Sequence, residues 1–152
     1  MWTFEHSVES KVDRNFAWQF WTNVSNWAAV DPSMESATLD GQFQSGTKGS
    51  TQLRGGEAIH WRLEGVKEPC GAVVIAHVPG AALRCTWKFE DSGIRATRIT
   101  QQARIEGERA QDYVSTAAPE LEKGIPLGMQ KLAATMEEVA LGSALGRWLC
   151  LF

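Results

Sequence analysis

The chain has 152 residues, 43% of them hydrophobic and 22% charged, with a formal net charge of −3. That length and balance describe one globular domain with a sizeable core and exclude a disordered chain. With no run of lysines or arginines, a basic footprint for nucleic acid or an anionic membrane is excluded, and no window approaches the roughly 20 apolar residues that span a bilayer.

The first segment, Trp2 to Val12, alternates. Trp2, Phe4, His6, Val8 and Val12 take one side, and Thr3, Glu5, Ser7, Glu9 and Lys11 the other. A period of two means a strand with one face on a core and one in water. No basic-then-apolar signal segment precedes it. Three cysteines, Cys70, Cys85 and Cys150, form an odd set without close pairing. A reduced, cytoplasmic setting is the simplest expectation.

Asp13 is placed to cap a helix from Asn15 to Val24, with Ala17, Phe20, Trp21 and Val24 on one face. Ser25 is expected to cap a second short turn through Asn26 to Val30, stopped by Asp31-Pro32.

From Met34 to Glu106 the chain reads as strands: Glu35 to Leu39, Thr47 to Arg54, Ala58 to Glu64, Ala72 to Val78, Ala82 to Glu90 and Ile94 to Glu106. Asp40-Gly41, Gly55-Gly56, Glu68-Pro69-Cys70-Gly71, Pro79-Gly80 and Asp91-Ser92-Gly93 separate them with turn chemistry. Connections this short force antiparallel neighbours. Leu83, Cys85, Trp87 and Phe89 oppose Arg84, Thr86, Lys88 and Glu90, so one face of the sheet is covered and the other wet. In the last strand Ile99, Ala103 and Ile105 share the apolar side with Gln101.

The cover is the final element, where Leu121, Ile125, Met129, Leu132, Met136 and Val139 form one stripe of a long helix. Gly124 and Pro126 are expected to kink or restart it. Ala110 to Ala118 is either a separate turn or its first part. The apolar tail, Leu141 to Phe152, has three open readings: docking on the body, association, or disorder. The domain is therefore expected to span 1–141, with the tail as 142–152.

This order of elements resembles the helix-grip fold, an α+β architecture in which a seven-stranded antiparallel curved sheet wraps a long C-terminal helix, with two short helices after strand 1. Val24-Ser25-Asn26-Trp27, Gly46-Thr47-Lys48-Gly49, His77-Val78-Pro79-Gly80 and Leu121-Glu122-Lys123-Gly124 carry the likeness. The chain resembles the START-related, Bet v 1-like superfamily, in its bacterial polyketide cyclase/dehydrase-like branch, over roughly Trp2 to Leu141. The resemblance implies a large cavity between sheet and helix and an apolar guest such as a lipid or polyketide. Only some members catalyse, and a fold does not choose among functions.

His6 is the sharpest candidate, an ionisable ring on an apolar strand face. It is either an acid, base or orienting donor in a cavity, or a core histidine bonded to a neighbour. In the resembled fold the first and last strands pair, which makes Gln101 its cross-sheet neighbour. Tyr113 either closes the cavity mouth with its hydroxyl inward or is an ordinary surface or core tyrosine. Cys85 reads as a small buried hydrophobe. Trp61, Trp87 and Phe89 from the sheet, with Ile125 and Met129 from the helix, complete the expected lining. Seven tryptophans against one tyrosine either fill a loosely walled core or stack on a ligand.

His60 and Arg62 alternate to the outer face, and His77 is ambiguous, so a three-histidine metal site is not expected. Gly41-x4-Gly46-Thr47-Lys48 has the wrong order for a phosphate loop and leads into a strand. No cofactor is expected. The leading expectation is binding of a small hydrophobic molecule. The alternative is a cyclase, aromatase or dehydratase-type enzyme with His6 as lead acid/base and Tyr113 and Gln101 assisting. A third is a protein-binding module or homodimer built on the final helix and tail.

Overall fold

A computed structural model describes the backbone of residues 1–149 and the side chains of residues 1–142. The elements run β1 (Trp2–Ser10), α1 (Arg14–Thr22), a short 3-10 turn (Val24–Asn26), α2 (Trp27–Val30), β2 (Met34–Leu39), β3 (Lys48–Leu53), β4 (Ala58–Lys67), β5 (Gly71–Val78), β6 (Ala81–Gly93), β7 (Ala96–Glu106) and α3 (Ala110–Leu149). The seven strands form one antiparallel sheet in the order β1-β7-β6-β5-β4-β3-β2. Consecutive hairpins build six of them, and β1 closes against the last. α3 packs on β1 and β7 and also meets α1 and α2. This is the helix-grip α+β fold expected from the order of elements.

Local chemistry sets the boundaries. Asp13 Oδ1 accepts from Phe16 N at 2.8 Å and starts α1 as a side-chain cap. Ser25 does not cap α2; its hydroxyl donates to Asn23 Oδ1 at 2.6 Å, and Asn26 holds the N-cap position without a side-chain bond. Asp91, Ser92 and Gly93 do not separate strands but extend β6. Gly93 pairs with Ala96, so Ile94 and Arg95 make the turn, with Arg95 at φ 52°.

α3 runs as one helix through Pro119 and Pro126 rather than restarting, and Ala110 to Ala118 is its first part. Each proline removes one backbone bond. Burial of Ile125, Met129, Leu132 and Met136 holds the helix across the breaks. Val139 departs from the expected stripe and is exposed, and Ala140 packs on the core in its place. Two buried hydroxyls fasten the far end: Ser10 Oγ donates to Ala133 O at 2.9 Å and Thr97 Oγ1 to Val12 O at 2.8 Å. Most of the apolar tail expected at 142–152 lies outside the described side chains; the backbone of α3 continues through Leu149.

Candidate functional site

On β1 the even positions Trp2, Phe4, His6 and Val8 are half-buried and the odd ones exposed, which fixes the inward face. The registers continue that face across the sheet. One row reads Ala72, Trp87, Gln101, His6 from β5 to β1. The next reads Val74, Cys85, Ala103, Phe4, and the one beyond Ala76, Leu83, Ile105, Trp2. His6 and Gln101 are thus direct cross-strand partners.

Aromatic rings fill one end of the space over this face. Trp21 lies 5.1 Å from Trp87, 5.2 Å from Phe43 and 5.3 Å from Phe89 between ring centroids. Trp18 reaches Phe89 at 5.6 Å, and Trp27 reaches Trp61 at 5.0 Å. These spacings are van der Waals packing of rings in tilted and edge-on geometry. The indole N–H groups of Trp27 and Trp61 are satisfied by Trp21 O at 2.7 Å and Thr51 Oγ1 at 2.9 Å. Among the tryptophans, Trp18, Trp21 and Trp61 are therefore core. Phe43, from the loop between β2 and β3, is a partner that no periodic pattern marks.

The expected lining divides by burial. Phe89 and Met129 are each 1% exposed, Trp61 5% and Ile125 8%. A water-sized void beside Phe89 or Met129 would leave accessible surface on it, so these side chains are enclosed. His6, Cys85, Trp87, Gln101 and Tyr113 are half-buried, as are the neighbouring Phe4, Val74 and Leu83. Strands β5, β6 and β7 are paired along both edges, so inward side chains on them can keep accessible surface only on the concave face. Val74, Leu83, Cys85, Trp87 and Gln101 therefore form a mostly apolar patch there, and Phe4 and His6 continue its rows on the edge strand β1.

Cys85 sits in the middle of this patch. Burial raises its thiol from the ordinary 9.0 to about 11, while a hydrogen bond from Gln101 acts in the opposite direction. The thiol is thus protonated at neutral pH and behaves as an apolar wall. Among the described residues the one buried side-chain polar atom without a partner is Arg104 Nε, on the convex face. The ring of His6 is accordingly not an orphaned buried group.

Tyr113 does not aim its hydroxyl into the concavity. It donates to Pro79 O at 2.8 Å and ties the start of α3 to the β5–β6 turn. At the rim, Trp2 Nε1 donates to Glu122 Oε1 at 3.2 Å. His60 and His77 are exposed, on strands β4 and β5. On the other side of β1, Val8 and Glu9 with Gln130, Ala133, Ala134 and Glu137 border an open groove of about 360 Å³. Its carboxylates are already engaged, Glu137 by Lys11 N at 2.7 Å and Glu9 by Ser92 Oγ at 2.6 Å.

Comparison with solved structures finds this fold in enzymes of distant sequence. The di-domain ARO/CYC BexL from the BE-7585A biosynthetic pathway superposes with a TM-score of 0.76 at 12% identity, covering 92% of this chain and 48% of that one. The chain thus spans about half the length of BexL. Zhui aromatase/cyclase from Streptomyces sp. R1128 gives 0.69 at 13% identity over 90% of this chain and 93% of its own. Norcoclaurine synthase from Thalictrum flavum, in complex with dopamine and hydroxybenzaldehyde, gives 0.70 at 14% identity over 93% and 87%. At such identities the likeness is one of fold. No curated protein sequence matches the chain. Residues 1–137 match the family described as polyketide cyclase/dehydrase and lipid transport, and the chain belongs to that family.

Proposed function

We propose that the protein binds a small hydrophobic molecule, such as a lipid, polyketide or aromatic metabolite, against the half-buried patch on the concave face. The observation that carries this reading is the patch itself: Val74, Leu83, Cys85 and Trp87 are half-buried on strands paired along both edges, and Phe4 extends their row on β1. Covering such surface with a guest contributes about 25 cal/mol per Å². Gln101 and His6 set the orientation of the guest, as a few polar groups do in an otherwise apolar site. Family membership supports the reading, and so do the aromatic molecules bound by norcoclaurine synthase. The domain 1–141 is the binding unit, and the tail at 142–152 lies beyond the family match.

Native mass spectrometry of the protein purified from cells tests the reading. The expected result is a co-purified apolar species released on denaturation, and tryptophan emission that changes when an apolar probe is added to the stripped protein. Neither signal at any probe concentration up to its solubility would overturn it.

The cyclase-type alternative is supported by family membership and by His6 with Gln101 beside it, while the Tyr113 hydroxyl is engaged by Pro79. Turnover of a cyclisable poly-carbonyl substrate, lost in His6→Ala while binding persists, would replace the binding reading with the catalytic one.

A further inference from the structure

Charge is segregated on this sheet with unusual completeness around the patch. Glu5, Arg84, Lys88 and Arg104 alternate with the patch residues along β1, β6 and β7, and their registers place them on the convex face: Glu5 opposite Gln102, Arg84 opposite Arg104, Lys88 opposite Thr100. There the ions neutralise one another, Arg84 Nε bonding Glu106 Oε1 at 3.2 Å and Arg84 Nη1 lying 3.7 Å from Glu64 Oε2. Among the described residues no lysine or arginine stands on the inward rows that carry the patch. At the rim the Glu122 carboxylate of α3 is held by Trp2 Nε1.

A carboxylate entering this space would lose its hydration without gaining a lysine or arginine partner. An ion buried without a partner is strongly disfavoured. A ketone or alcohol oxygen meets no such penalty and finds a partner in the Gln101 amide, which lies between His6 and Trp87 in one inward row.

Resting on the binding reading above, we infer that the site selects uncharged, largely apolar molecules that present a hydrogen-bonding oxygen to Gln101, and that it rejects the matching carboxylates. Selection acts through three features together: the apolar floor, the absence of lysine and arginine from the inward rows, and the single amide.

Equilibrium dialysis of the full chain at pH 8 against three probes of similar size tests this: 2-acetylnaphthalene, 2-naphthoate and 2-ethylnaphthalene. The ketone is expected to bind about tenfold or more tightly than the carboxylate, and severalfold more tightly than the hydrocarbon, the range expected when a buried charge or a lone hydrogen bond is at stake. Equal or tighter binding of the carboxylate overturns the inference and leaves the binding reading standing. Failure of all three probes overturns both. In Gln101→Leu the ketone's advantage over the hydrocarbon is expected to shrink, with His6 keeping the remainder, while the hydrocarbon still binds, which also reports an intact fold. An undiminished advantage in that variant would remove Gln101 from its role.

Discussion

His6 on β1 stands directly opposite Gln101 on β7, and Gln101 stands opposite Trp87 on β6. The sheet thereby sets its two inward polar side chains of the patch shoulder to shoulder, with apolar rows on either side. Such a pair can bond one guest oxygen without a buried charge. Replacing His6 by Leu is expected to leave the urea midpoint almost unchanged, because the ring is half-buried and its loss orphans no buried group. Affinity for a ketone probe is expected to fall by about three- to tenfold, the worth of one net hydrogen bond, and affinity for a hydrocarbon probe to hold or rise. An equal loss for both probes would mean that His6 only supports packing.

The aromatic stack is the part of the interior that behaves as core. Trp21 is 2% exposed and touches Trp18, Trp27, Phe43, Trp87 and Phe89, so Trp21→Ala is expected to cost about 3–5 kcal/mol in urea unfolding. Trp87→Ala, at a half-buried position facing the patch, is expected to cost distinctly less. It should also change the affinity of an apolar probe, which Trp21 does not touch through the patch. Equal stability losses would place Trp87 in the sealed core and shrink the site.

Much of this fold was legible because its signals are local. Period-two alternation and short turn-rich connections prescribe an antiparallel sheet, and Asp13 marks the start of α1 through one hydrogen bond. The His6–Gln101 register follows once the first and last strands pair. What sequence could not reveal depends on contacts far apart in the chain. The enclosed part of the lining lies under Trp18, Trp21 and Phe43, which plug one end of the concave face. The fate of the Tyr113 hydroxyl is decided by a carbonyl 34 residues away. Ile75 faces the convex side and is nonetheless 1% exposed. Its row neighbours are Arg62 and Arg84, long side chains of the kind that shelter apolar surface, an exception that an alternating pattern does not show.

Gly49 illustrates how a turn-like motif can hide a packing requirement. It pairs with Trp61, and a Cβ at position 49 would drive into the indole ring. That ring cannot easily retreat, since its N–H bonds Thr51 and its face lies against Trp27. Gly49→Ala is expected to destabilise the protein by about 1–3 kcal/mol by overpacking. Gly46→Ala has open space around its Cβ but a φ of +92°, so its cost is backbone strain alone. Thermal unfolding of the two variants separates the causes: a second substitution, Trp61→Phe, should rescue only Gly49→Ala.

The thiols offer a pH test of the interior. Cys70 is exposed on the β4–β5 turn, whereas burial lifts Cys85 to about 11. The folded state therefore holds the Cys85 proton more tightly than the unfolded chain does. Stability from this group is complete below about pH 9 and is lost as pH rises through about 11. Alkylation followed by peptide mass spectrometry at pH 8 should modify Cys70 long before Cys85. The Cys85 rate should climb toward pH 11 and fall when an apolar probe is bound. Rapid modification of Cys85 at pH 8 in the folded protein would contradict a buried, neutral thiol.

Tyr113 separates a structural tie from a catalytic acid. Its hydroxyl donates to Pro79 O in an exposed setting, and the same turn is held by Arg109 N bonding Gly80 O at 2.9 Å. Tyr113→Phe removes one hydrogen bond near solvent, so the expected loss is about 1 kcal/mol or less, with affinity for apolar probes unchanged. Hydrogen exchange should quicken locally at the β5–β6 turn and the first turn of α3. If Tyr113→Phe instead left exchange there untouched and abolished turnover of a poly-carbonyl substrate, the hydroxyl would have to leave Pro79 and swing inward during the reaction. The contact that now anchors α3 would then be a resting state of the mouth, and the tyrosine would be an acid in waiting.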